Sequence, residues 1–140
     1  MTLPAAVLVD LDGTLADNTH RHFTEYHLCY DDAPIQPVID LVELLATRYT
    51  LVFMSGREDT CRDLTLEWLA KHLPFLTGTP ELFMRAAGDY RPDNEVKTEL
   101  YTEHVAPRFD IRYAVDDRLS VVQAWRSLGI TVLDVAGNTF

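Results

Sequence analysis

The stretch AAVLVDLDGT, residues 5–14, decides how this chain is read. A short apolar run stops abruptly at Asp10, and Asp10-Leu11-Asp12-Gly13-Thr14 follows without a break. Such a run reads as a buried strand whose carboxyl end delivers polar residues to a turn. Similar short runs recur at residues 51–54, 82–84, 113–115 and 131–133. Between them lie apolar stripes at helical spacing: Leu41, Leu44 and Leu45; Leu64, Trp68 and Leu69; a weaker Leu100 and Val105; and Val121, Val122, Trp125 and Leu128. Five strands alternating with four helices predict an α/β fold, a doubly wound Rossmann-like parallel five-stranded sheet with helices on both faces. Gly129, directly after the last stripe, is placed to end a helix.

Residues 17–37 resist this alternation, with three histidines, paired acids and two prolines in a stretch of poor periodicity. They are read as a small cap insertion after the first strand, above the sheet. At 140 residues and 47% hydrophobic composition, residues 1–140 make one domain with a single core. The net charge of -10, from 22 acidic against 12 basic residues, argues against long tracking along a nucleic-acid backbone. A nucleic-acid end gripped by a local cationic pocket remains compatible with it. The N-terminal apolar run has no basic leader, and no stretch approaches the roughly 20 apolar residues of a spanning helix. Cys29 and Cys61 are the only cysteines and form no metal or disulfide pattern. The expectation is a soluble, cytoplasmic protein that engages no membrane. A phosphate-binding G-x-x-x-x-G-K-[ST] loop is absent, which excludes a nucleotide kinase module.

In parallel α/β sheets the ligand site lies at the carboxyl ends of the strands. Here those ends carry Asp10 and Asp12, then Ser55-Gly56-Arg57, then Arg85, then Asp116-Asp117-Arg118, with Lys97 opening the helix between the last two. Each has an ordinary structural use. Asp12-Gly13 suits a turn, Ser55-Gly56 a strand-to-helix turn, Asp116-Asp117 a helix cap, and Lys97 a solvated helix face. Their convergence on one rim is what favours chemistry, because together they supply the parts of a phosphoryl-transfer site. A carboxylate attacks phosphorus only when the phosphoryl charge is neutralised, which Mg²⁺ on oxygen ligands achieves. Asp10 with Asp116 or Asp117 can hold such an ion. Asp12, two residues beyond Asp10, can protonate the leaving oxygen and then deprotonate the attacking water. The Ser55 hydroxyl and Gly56 amide suit phosphate oxygens, and Lys97 balances the charge of the transition state.

These residues, in this order, resemble the four motifs of the haloacid dehalogenase superfamily of phosphatases. VDLDGTLAD, MSGRED, the segment from Arg85 through GDYRPDNEVK, and AVDDRLSVVQAWRSLGI are similar to one branch, the 3′-phosphatase domain of phage-type polynucleotide kinase-phosphatase. The resemblance covers nearly the whole chain. It implies Asp10 as nucleophile, Asp12 as general acid and base, Ser55, Arg57, Arg85 and Lys97 around the phosphate, and the acidic pair at the metal. It also implies a metal contact from the backbone carbonyl of Asp12. The kinase domain of the bifunctional proteins has no counterpart here, and the insertion aligns least.

Other features are set aside. His20, His22 and His27 lack a fourth ligand at metal spacing, and Asp31 and Asp32 read as solvated loop charges. Trp68 and Trp125 lie on apolar stripes and read as core. Phe23, Tyr26 and Tyr30 fall in the aperiodic insertion, where an aromatic is free to stack on a base. Asp89, Asp93 and Glu95 read as a turn and a helix start. The leading expectation is a Mg²⁺-dependent phosphomonoesterase that removes 3′-phosphate from nucleic-acid ends through an aspartyl-phosphate. A phosphatase of free nucleotides needs the same core and differs only at the rim. A phosphate-binding module without turnover is disfavoured, since it has no use for an Asp12 beside Asp10. Protein partners are not legible.

Overall fold

The structure, a computed structural model, describes residues 2–140. Five strands form a parallel sheet: β1 (Ala5–Val9), β4 (Thr50–Glu58), β5 (Glu81–Arg85), β6 (Asp110–Asp116) and β7 (Thr131–Asp134). The order across the sheet is β5-β4-β1-β6-β7, so β1 is central. The chain leaves β1 toward β4 and β5, then returns to its other side as β6 and β7. That reversal opens a crevice above the carboxyl end of β1.

Helices cover both faces. Val7 and Val9 point to one side, against α1 (Gln36–Ala46) and α2 (Arg62–His72), where Val38, Ile39, Trp68 and Leu69 fill the core. Ala6 and Leu8 point to the other, against α4 (Leu119–Ser127) with Val121, Val122 and Trp125. Burial on both faces is why β1 is apolar at every position rather than at alternate ones. Within the expected insertion, β2 (Ala16–Asp17) and β3 (Ala33–Pro34) form a two-stranded antiparallel ribbon joined through a 3₁₀ helix, Tyr26–Asp31, and the last two residues, Gln36 and Pro37, already belong to α1.

Three helical stripes depart from regular helical spacing. α1 begins early, with Pro37 in its first turn, and buries Val38, Ile39 and Val42. Leu44 lies two positions past Val42, about 200° around the helix, and is 69% exposed. Leu100 and Val105 are five apart because α3 (Asp93–Leu100) runs into a π turn, Tyr101–Val105, with the Ala106 N–H donating to the Tyr101 carbonyl at 2.8 Å. The wider turn brings residues five apart onto one face, which explains the poor helical spacing. Leu128 lies beyond α4 and is exposed. Gly129 does end that helix, at φ +82°. Among the described residues, no helix is long and apolar enough to cross a membrane.

Candidate active site

β1 ends at Val9, and the next residue, Asp10, is held over the crevice by its N–H donating to the Val115 carbonyl of β6 at 3.0 Å. The chain then turns tightly. Gly13 adopts φ +80°, and a Cβ there would collide with the Asp117 carboxylate, so both conformation and space demand glycine. The turn aims Thr14 back at the acids: its hydroxyl donates to Asp10 Oδ2 at 2.8 Å.

Around Asp10 gathers a first corner. Oxygens of Asp10, Asp116 and Asp117, all buried, lie within 4.8 Å of one another. Lys97, on α3 and equally buried, donates to Asp10 Oδ1 at 2.7 Å and to Asp116 Oδ2 at 3.1 Å. Asn138 donates to Asp117 Oδ2 at 3.0 Å. Burial and then the neighbouring Asp116 push the Asp10 carboxyl well above the ordinary carboxylate range, despite Lys97. Burial likewise raises Asp117. The Lys97 ammonium is disfavoured by burial, yet Asp10 and Asp116 hold it above its usual value. Three crowded carboxylates against one cation leave an excess of negative charge, and oxygen donors of this kind suit a hard divalent ion. The three acids therefore fit Mg²⁺.

A second corner surrounds Asp12. Arg57 grips it through Nε at 3.2 and 3.1 Å and through Nη2 at 2.7 Å. Nη2 also reaches Asp32 Oδ2 at 2.9 Å, and Nη1 reaches the Thr65 hydroxyl at 3.0 Å. Arg21 donates to both oxygens of Asp32, at 2.9 and 3.0 Å, and to Asp12 at 3.4 Å. His20 meets Asp32 at 2.7 Å. Asp32 is 2% exposed, so the expectation of a solvated loop charge is overturned. Its three partners make that burial tolerable, since a buried carboxylate without them would be costly.

The sequence-selected residues other than Ser55 thus reach one cleft, of about 510 Å³, but not in one posture. Asp10, Asp12, Gly56, Arg57, Arg85, Lys97, Asp116 and Asp117 line it. Ser55 is buried, and its hydroxyl accepts the Arg57 N–H at 3.1 Å. β4 runs on to Glu58, and a register shift between Ser55 and Glu58 against β5 releases Gly56 and Arg57 from regular pairing. Arg57 faces Asp12 and Asp32 rather than open space. Arg85 donates to the Gly56 carbonyl, to the carbonyls of Asp89 and Arg91, and to Asp93. Asp93 consequently does more than start α3: it also bounds Gly56, where a Cβ would come within 2.6 Å of its Oδ1.

Arg21 and Asn138 carry no part in the sequence reading, and Asp32 enters it only as a loop charge. Arg21 had a signal, being the only Lys or Arg before Arg48, in a segment holding eight acids. Trp68 and Trp125 are core, as expected. Of the insertion's aromatics, Phe23 and Tyr26 line the cleft, whereas Tyr30 packs on the core beneath Lys71.

Comparison with known proteins gives a consistent picture. A family model described as the polynucleotide kinase PNKP phosphatase domain matches residues 4–140. The chain is 36% identical over 137 residues to a protein of Autographa californica nuclear polyhedrosis virus named as a bifunctional polynucleotide kinase/RNA ligase, covering 94% of this chain and 19% of that one. It is 33% identical to a chain of the Pnkp1/Rnl/Hen1 RNA repair complex, with a TM-score of 0.91 over 99% of this chain and 44% of that chain. A class C acid phosphatase from Bacillus anthracis, 17% identical over 100% of this chain and 69% of its own, shares the fold at a TM-score of 0.68. The chain spans less than half the length of the first two relatives.

Proposed function

The chain belongs to the polynucleotide kinase PNKP phosphatase domain family, and on that premise we propose that it removes the 3′-phosphate from nucleic-acid ends in a Mg²⁺-dependent reaction. The observation that carries this reading is the separation of two carboxylates only two residues apart. Asp10 lies in the acidic corner with Lys97, and Asp12 lies in the arginine corner, its side chain 29% exposed toward the cleft. Two carboxylates in different surroundings can take different parts in one reaction.

Asp10 is the nucleophile. Its carboxylate oxygen forms a bond to phosphorus as the bond to the 3′-oxygen breaks, and Asp12 gives that oxygen its proton. Asp12 then takes a proton from the water that attacks the aspartyl-phosphate, which releases phosphate and restores Asp10. Lys97 holds Asp10 in place and offsets negative charge during the transfer. Asp10, Asp116 and Asp117, with the Asp12 carbonyl, would hold Mg²⁺, which when bound neutralises phosphate charge. Ser55 and Gly56 serve the phosphate, whereas Arg57 and Arg21 keep Asp12 aimed. Arg85 shapes the phosphate side of the cleft through Gly56 and Asp93. Residues 1–140 act as one domain and residues 17–37 as its small cap.

The substrate we favour is an RNA 3′ end. The viral relative is named for an RNA ligase, and the solved relative belongs to an RNA repair complex. Any kinase or ligase step is left to another domain or chain. Phosphate release should be compared on a 3′-phosphorylated RNA oligonucleotide, a 3′-mononucleotide and a 5′-mononucleotide, each with Mg²⁺ and with chelator. The oligonucleotide should turn over fastest, and only with metal. Faster release from the 5′-mononucleotide would identify a free-nucleotide phosphatase instead.

A further inference from the structure

A polynucleotide phosphatase must hold the strand as well as the phosphate, and this chain has few cations free to do so. Of the arginines lining the cleft, Arg57, Arg85 and Arg91 are occupied by protein oxygens and Arg118 pairs with Asp93 at 3.5 Å, and the net charge is -10. The rim of the cleft offers aromatic faces instead. Tyr90 is 86% exposed and Phe23 67% exposed, and both line the cleft that holds Asp10 and Asp12. They come from unrelated segments, Phe23 from the insertion and Tyr90 from the loop between β5 and α3.

Neither ring sits on a slack backbone. Buried Arg21 donates to the Phe23 carbonyl at 3.3 Å, and His22 flanks the Phe23 ring with centroids 4.5 Å apart. Buried Arg85 donates to the Asp89 carbonyl at 3.0 Å and the Arg91 carbonyl at 2.5 Å, so it clasps the loop on either side of Tyr90. Arg91 closes the same loop onto the Asp89 carboxylate at 2.8 Å. The two arginines that secure these backbones also tie to the reacting groups' surroundings, Arg21 to Asp12 and Arg85 to Gly56. Large apolar rings left in water are unfavourable alone, but fixed at a polar cleft they present ready π-faces with little ordering left to do.

We propose that Phe23 and Tyr90 form a stacking subsite for the base of the 3′-terminal nucleotide. The proposal rests on the reading of the cleft as a 3′-phosphatase site. Every base has a π-face, so the subsite tolerates sequence while rejecting an end that has no base.

The test compares kcat/KM for a 3′-phosphorylated trinucleotide with that for the same strand carrying an abasic 3′-phosphorylated terminal residue. The wild-type chain should favour the intact strand, and in the double variant Phe23→Ala, Tyr90→Ala that ratio should fall about tenfold or more, the scale of one stacked base. Phe23→Leu with Tyr90→Leu should lose the preference as well. Phe23→Tyr with Tyr90→Phe should retain it. A ratio unchanged in the alanine and leucine variants overturns the subsite alone. A wild-type chain that hydrolyses p-nitrophenyl phosphate yet leaves both strands intact overturns the functional reading, and the subsite with it.

Discussion

The two corners of the cleft use the same residue types to opposite ends. Around Asp10, three carboxylates face one ammonium, so negative charge is left over. Around Asp12, the carboxylates of Asp12 and Asp32 face the guanidiniums of Arg21 and Arg57, so charge is balanced before His20 is counted. A corner with excess charge is a place for something to arrive. A balanced corner is a place where something is kept still. The difference teaches that burial of acids does not by itself identify a metal site; what matters is whether the protein supplies the counter-charge.

Asp10→Asn should break the contrast most severely. The amide keeps the size of the side chain and removes the anion, so phosphate release in steady state should fall by about 10⁴-fold or more, with the circular dichroism spectrum unchanged. Arg57→Ala attacks the other corner. It takes from Asp12 and Asp32 one of the two cations they share, and breaking a buried ion network of this kind costs about 3–5 kcal/mol, which urea unfolding would register as a lower midpoint. Unaltered stability would mean that the balanced corner is not a structural unit.

The expected asymmetry sharpens with Asp117→Asn. Removing one of three crowded carboxylates should stabilise the chain in chelator while abolishing its response to Mg²⁺. The wild-type chain should gain about 2.7 kcal/mol at a Mg²⁺ concentration a hundred times its Kd, so paired thermal melts with and without the ion separate the two. The smallest effect concerns salt. With Arg57 and Arg85 engaged by protein groups, a strand should contact few cations, giving a log-log slope of binding against salt of about -1 to -3. A much steeper slope in fluorescence anisotropy would reveal a basic track elsewhere on the surface.

The sheet was legible because its strands are short apolar runs that end in polar residues, and all five lie where those runs predict. Lys97, Asp116 and Asp117 were legible for a related reason: topology alone brings the ends of parallel strands together. Strand order brings Arg57 and Arg85 to the cleft but does not show which way they face, since a guanidinium goes to the nearest fixed acceptors and these lie across the chain. Asp32 was misread because its partners are distant, Arg21 by 11 positions and Arg57 by 25. The exposure of Leu44 depends on where α1 begins, which the leucine spacing does not reveal. Nothing in the sequence marks Tyr90, because a loop has no period against which an aromatic stands out.

The central place of β1 also bears on how fast the molecule assembles. Its register joins Ala6 to Thr50 on one side and Ala5 to Asp110 on the other, so its second neighbour is synthesised more than a hundred residues later. Such distant pairings slow folding, because long loops must close before they are rewarded. Asp10 cannot meet Asp116 until β1 and β6 pair, so the crowding of carboxylates waits on that distant closure. A cation captured by those acids binds only the assembled site. It should lengthen the lifetime of the folded chain while leaving the speed of refolding almost untouched.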